Sequence, residues 1–340
     1  MSCECLDIFC HCLPPAYCQA VQEAANRPLL MFERAQKIRV MVDLPARLQV
    51  MDEFPGYRQL VSLASPPVEV FAPEAAEKLA IVANNEMAKM VNESDGRIAG
   101  FVATLPLNLP ERSVQEAQRA VQELGANGVQ VFTSVLGQPL DDPGFEPLFR
   151  AMHELDLPIL LHPTRAMTTP DYPSEQYSKF DLWWALGWPY ETTLAMVRLA
   201  MSGIFDRYPN LKIIAHHVGG FLPMLEGRLG PGMELLGTRN PPGTEDCVNT
   251  PLQESVLLAC KRFYADTASF GSQAAIEAGQ AFFGPDHLLF ATDMPFDPGQ
   301  GPDYIRSTLK AIESMNLSDK ERQAILTENA RCIFRLDEVV

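Results

Sequence analysis

Short apolar runs recur along the chain, most of them stopped by a proline, a glycine, a histidine or an aspartate, and stretches of helical period stand between them. Residues 6–13, 57–65, 97–105, 128–133, 157–162, 211–215, 263–266 and 287–292 read as strands, because they are short, β-branched or apolar, and bounded by turn residues. Between them, residues 73–93, 110–124, 144–155, 189–208, 223–236 and 273–282 carry apolar positions at helical spacing, and two closing helices follow the last strand. Strands that alternate with helices imply a parallel sheet. Eight such units predict an α/β fold, a (β/α)8 TIM barrel, with a helical insertion over residues 16–51 after the first strand and additional C-terminal helices. An open doubly wound sheet would want a glycine-rich turn after its first strand, where this chain has Cys10-His11-Cys12-Leu13-Pro14. Residues 1–340 are therefore expected to form one domain.

Alternation along the first strand puts Asp7, Phe9 and His11 on one face and Ile8, Cys10 and Cys12 on the other. In a barrel, side chains at the carboxyl ends of the strands converge on one mouth. His11 ends the first strand, His162 the fifth, His216 and His217 the sixth, Asp266 the seventh and Asp293 the eighth. Of the 6 histidines, only His153, in a helix, and His287, at the opposite end of its strand, stand apart. Imidazoles and a carboxylate in one concave site suit a divalent ion such as zinc or manganese.

The formal charge of −16 excludes a nucleic-acid footprint, which needs clustered positive charge. A carboxylate substrate would have to be held by local arginine or lysine, or by a metal ion. The 8 cysteines follow no charged and apolar leader, and no apolar run is long enough to span a bilayer, so a cytoplasmic protein with reduced thiols and no membrane partner is expected. Cys10 and Cys12 face away from His11 and lack a downstream pair, which makes them buried thiols in preference to structural zinc ligands.

The strand-end residues resemble those of a known group. L-H-P at His162, H-x-G-G at His217 and T-D-x-P at Asp293, with ELGANGVQV, LDDPGFEPLFRAMHELDLPILLHPT, LGWPYETTLAMVRLAMSGIFDRYPNLKIIAHHVGG and LLFATDMPFD around them, resemble the amidohydrolase superfamily. The resemblance is to the amidohydrolase-related branch that holds aminocarboxymuconate-semialdehyde decarboxylase and the aromatic-acid decarboxylases. It implies that His11, His162 and Asp293 are metal ligands, that His217 is the catalytic imidazole acting with Asp293, and that His216 is its supporting neighbour. Glu191, in the W-P-x-E-T segment, would stand behind a ligand or behind His217. Arg228 falls where that decarboxylase grips a substrate carboxylate across a dimer interface, which implies a homodimer or a higher homo-oligomer; its plain alternative is a surface pair with Glu226 or Glu234.

Phe9 stands where the family has a first-strand ligand, histidine in many members and glutamate in several. Three ligands and a water still suit a catalytic ion, zinc first and manganese second, although a metal-free site stays open. Phe9 and Trp188, with Trp183 and Trp184, would then wall a flat ring. The leading expectation is non-oxidative decarboxylation of an aromatic or unsaturated small carboxylic acid. The alternative is hydrolysis of a lactone, amide or carbon–carbon bond.

Overall fold

The computed structural model describes residues 4–237, 239–244 and 250–336, and lays the apolar runs side by side as parallel strands. They are β1 (Cys5–Cys12), β2 (Tyr57–Leu63), β3 (Ile98–Phe101, continued by Ala103–Thr104), β4 (Val129–Phe132), β5 (Ile159–His162), β6 (Ile213–Ala215), β7 (Tyr264–Asp266) and β8 (Leu288–Leu289). Each pairs in parallel with the next. The last reaches the first as well: Ile8 N donates to Phe290 O at 3.1 Å and His11 N to Met294 O at 2.9 Å, and Cys10 bridges Met294 in parallel. These bonds close the sheet into an α/β TIM barrel.

Inside lies a layer of Leu6, Ile8, Phe9, Leu60, Val102, Leu160, Ile214 and Leu289, joined by Ala330, Ile333 and Phe334 of the last helix. Outside, Cys10, Cys12, Val61, Val131 and Leu161 face helices such as α5 (Pro73–Glu93), whose Ala76, Leu79, Ala80, Ala83 and Met87 form the buried stripe that its spacing predicts.

The insertion after β1 folds as α1 (Pro15–Ala24), α2 (Leu30–Ala35), α3 (Arg39–Val42) and α4 (Leu44–Met51). Other departures from expectation have local causes. The helix expected over 189–208 begins earlier and runs over Gly187–Met201, where Gly203, at φ 70°, divides it from the short turn Ile204–Arg207. The helix expected over 223–236 is broken, because Gly230 has ψ −108° and Pro231 follows it. The eighth strand is shorter than 287–292, since Phe290 N donates to Ile325 O and Ala291 N to Thr267 Oγ1. A hairpin of Ser134–Val135 with Gln138–Pro139 and a helix at Val256–Cys260, capped by Ser255, were not expected. Cys10 and Cys12 are buried thiols, and burial pushes Cys12 up to about 12.

Alternation fails at one point of β1. Asp7 pairs with Gln59 and Cys10 with Val61, so β1 carries an extra residue between them. The bulge leaves Phe9 and His11 on the inner face but turns Asp7 away from it, which corrects the face shared by all three. Asp7 accepts from Thr292 N at 3.1 Å, Thr292 Oγ1 at 2.5 Å, Tyr57 OH at 2.6 Å and Phe9 N at 3.3 Å. It ties β1, β2 and the segment after β8 together. Burial lifts its carboxyl to about 6, against the opposing pull of these hydrogen bonds.

Because the folded protein binds the Asp7 proton more tightly than the unfolded chain does, this group's contribution to stability falls as pH rises between about 4 and 6. The change is of order 3 kcal/mol. Asp7→Asn should therefore gain on the wild type in thermal midpoint between pH 4 and pH 7, whatever its offset at either value; equal pH slopes in the two proteins would refute the assignment.

Candidate metal centre and active site

The closure that joins β1 to residues 290–294 brings His11 beside Asp293, with Nε2 3.1 Å from Oδ1. His162 enters from the end of β5, His216 and His217 from the segment after β6, and Asp266 from the end of β7. Two of these side chains stand on backbone in the left-handed region, His217 at φ 55° and Asp293 at φ 64°. Such positions cost non-glycine residues about 1–3 kcal/mol and are held by what surrounds them. Here Gly220, at φ 65°, lets the turn pass Pro189, whose carbonyl oxygen would lie 2.3 Å from a Cβ. Phe221 N then donates to Thr193 Oγ1 at 2.8 Å and pins the turn to α6 (Gly187–Met201).

The imidazoles of His11, His162 and His216 are held from behind through Nδ1. That of His11 lies 3.2 Å from Ser62 Oγ, that of His162 2.7 Å from Pro163 O, and that of His216 bonds Asp266 Oδ2 at very short range. Asp266 Oδ1 in turn accepts from Val218 N at 3.2 Å and Ala268 N at 3.0 Å. Asp293 meets His216 Nε2 through Oδ1 and His217 Nε2 through Oδ2, both at 3.4 Å. One ring nitrogen from each of His11, His162 and His216 lies within 4.8 Å of the others, and an atom from each of His216, His217 and Asp293 forms a second such group.

Burial lowers His11 and, with the neighbouring imidazoles, takes His162 well below its usual range. His217 is lowered by burial and by the charge of His216. On His216 burial is outweighed, and Asp266 and Asp293 carry it up to about 9. Asp293 is held well below the carboxylate range, because its close contacts with His11, His216 and His217 overcome burial. This field favours positive charge at the centre of the cluster.

A divalent ion fits the donors. His11 Nε2 is buried without a hydrogen-bond partner, since its approach to Asp293 is not aligned as one, and neutral imidazole nitrogens beside a carboxylate suit zinc or manganese.

Above the cluster a cavity of about 430 Å³ opens outward. Asp293 and His217 form part of its lining, Trp184, Trp188, Phe270 and Phe296 its aromatic walls, and the ion pair of Arg34 with Asp181, at 3.3 Å and partly exposed, its rim. Several expected residues lie elsewhere. Phe9 is fully buried and packs beneath the imidazoles instead of lining the cavity, its ring stacked on His216 with centroids 3.8 Å apart. His216, expected as a supporting neighbour, sends Nε2 into the cluster itself. Glu191 pairs with Arg165 at 2.8 Å, not with an imidazole. Arg228 is exposed and outside the cavity lining. His153 packs on Tyr208 and His287 on Tyr264, both apart from the cluster.

Sequence reasoning missed Arg47. It lies on α4 and is fully buried, with Nη1 donating to Gln59 Oε1 at 2.8 Å and Nη2 to the carbonyl of His11. Gln59 bonds Tyr57, which bonds Asp7, so one buried network supports the backbone of the histidine. The signal was present: Arg47 sits in helical register with Leu44 and Met51 on the apolar face of α4.

The amidohydrolase family profile matches residues 8–336, nearly the whole chain. A gamma-resorcylate decarboxylase of Polaromonas sp. is 30% identical over 304 residues, which are 86% of this chain and 87% of that protein. A 2-amino-3-carboxymuconate-6-semialdehyde decarboxylase of Dictyostelium discoideum is 28% identical over 78% of this chain and 68% of its own. Among solved structures, a dihydroxybenzoic acid decarboxylase of Polaromonas sp., with bound manganese and the inhibitor 2-nitroresorcinol, superimposes with a TM-score of 0.77 at 24% identity, covering 99% of this chain and 98% of that one. The chain belongs to the amidohydrolase family. Within that family its relatives place it in the amidohydrolase-related branch of decarboxylases.

Arg47→Met would strip the His11 carbonyl and Gln59 of a buried donor while keeping most of the volume, at about 1–3 kcal/mol for each unsatisfied group. Urea denaturation should report a loss of about 2–6 kcal/mol for the two groups together, with weaker metal retention on dialysis. Unchanged stability and retention would remove Arg47 from the support of the site.

Proposed function

We propose that this protein is a metal-dependent carboxy-lyase that removes carbon dioxide, without oxidation, from an aromatic or unsaturated small carboxylic acid. The observation that carries this reading is the cluster of imidazoles and Asp293 at the floor of an apolar, aromatic-walled cavity. The parentage of the chain supports it, and hydrolysis is not favoured, because the relatives are decarboxylases.

His11, His162 and Asp293 would hold the ion. A divalent cation there would supply positive charge to hold and orient the substrate carboxylate. Trp188, Phe270 and Phe296 offer flat apolar surface for the ring. His217 Nε2 and Asp293 Oδ2 share a proton across 3.4 Å at the cavity floor. Delivered to the carbon that bears the carboxylate, this proton makes that carbon tetrahedral. The carbon–carbon bond then breaks, its electron pair restores the ring, carbon dioxide departs, and a proton from solvent recharges the pair.

Zinc is the ion expected, with manganese, found in the Polaromonas structure, as the alternative. Residues 1–340 are read as a single domain working as a homodimer in the cytoplasm. No helix among the described residues is long and apolar enough to cross a membrane, and the loop before α6 exposes Tyr172, Tyr177 and Phe180, the last to 89%, as surface that pairing would cover. In that dimer Arg228, exposed here, would serve the partner's substrate.

The test is a panel of hydroxybenzoic and related unsaturated acids, incubated with zinc- or manganese-loaded protein in deuterated water. Carbon dioxide should be released and one deuterium should appear at the vacated carbon; hydrolysis products without carbon dioxide would overturn the reading. His217→Asn should lose about 10²–10⁴-fold in turnover with metal content intact. A loss of only a few-fold would take His217 out of the mechanism.

A further inference from the structure

His216 is fully buried and does not line the cavity, yet its Nε2 is aimed at the same Asp293 oxygen that His11 Nε2 approaches. Resting on the reading of a metal-dependent enzyme, we propose that His216 is itself a metal ligand, so that the ion is held by His11, His162, His216 and Asp293.

The tautomers support this assignment. Pro163 O can only accept, so Nδ1 of His162 carries the hydrogen and Nε2 of the neutral ring has a free electron pair. Asp266 Oδ1 already accepts from Val218 N and Ala268 N, and its Oδ2 takes the hydrogen of His216 Nδ1, so Nε2 is the nitrogen of that ring left to give up its proton to an ion. A carboxylate behind the far nitrogen is the arrangement that orients metal-bound histidines and raises their basicity. His11 shows the same pattern, with Nδ1 against Ser62 and Nε2 without a hydrogen-bond partner.

One ring nitrogen of each of these histidines lies within 4.8 Å of the others, a spacing one ion can satisfy. Phe9, flat against His216 at 3.8 Å with 16° between the ring planes, fixes the orientation of that ring and keeps water from its face. The two oxygens of Asp293 then divide the work. Oδ1 turns to His11 and His216, while Oδ2 turns to His217, the imidazole that lines the cavity and meets substrate.

X-ray absorption of the zinc-loaded wild-type protein counts imidazoles directly: three are expected, and two would overturn the proposal. On the variants, competition titration with a chromophoric chelator should show zinc affinity falling by more than about 100-fold in His216→Ala. Asp266→Asn should lose about 10–100-fold, the usual effect of removing a partner behind a ligand. His217→Asn should stay within a few-fold of wild type. A His216→Ala protein that keeps wild-type affinity would refute the assignment of His216 alone, whereas a wild-type protein that binds no divalent ion would refute the metal-dependent reading beneath it.

Discussion

The structure depends on the seam between the first strand and the segment that follows the last. His11 N donates to Met294 O there, one residue beyond Asp293, and the same backbone bonds that close the barrel therefore place an imidazole against a carboxylate. Barrel closure and assembly of the site are one event. Two residues of the site stand on strained backbone: Asp293, at the seam, and His217, after β6, occupy the left-handed region. The glycines after His217 and the hydrogen bond from Phe221 N to Thr193 hold that backbone in place.

Behind the seam lies a second buried layer of polar groups, running from Asp7 through Tyr57 and Gln59 to Arg47. Polar groups out of water are costly unless bonded, and this chain of donors and acceptors is almost fully satisfied. It is anchored at both ends on the strand that carries His11, at the Asp7 side chain and at the His11 carbonyl. The insertion after β1 thus has two roles. Through α4 it stiffens the strand that carries His11, and through α2 it supplies Met31, Arg34 and Ala35 to the cavity.

Much of this was legible before any coordinates. Period-2 and period-3.6 patterns separate strand from helix because each element buries one face, and eight repeats of the unit left a closed barrel as the simplest arrangement. The strand ends at His11, His162, His216, Asp266 and Asp293 followed, since a parallel barrel delivers all its carboxyl ends to one mouth. Arg228 stayed ambiguous, because its proposed role lies across an interface between chains. Arg34 and Asp181 gave no signal, as they belong to different loops that only packing brings to one rim.

What the sequence by itself determined is which residues could meet: side chains at strand termini, ordered by alternation and by the direction of the chain. Which way each one points was decided by the tertiary structure. A single extra residue between Asp7 and Cys10 turned Asp7 away from the site while leaving Phe9 and His11 in it, and no local pattern announces a bulge whose position is set by pairing with β2. Likewise, two adjacent histidines at 216 and 217 are equivalent in composition and nearly so in position. Asp266, 50 residues further on, draws Nδ1 of His216 and so aims its Nε2 inward, and the left-handed turn at His217 sends the next ring to the cavity wall. Periodicity describes one element at a time, whereas the orientation of a side chain in a shared site is fixed by hydrogen bonds from elements far away along the chain.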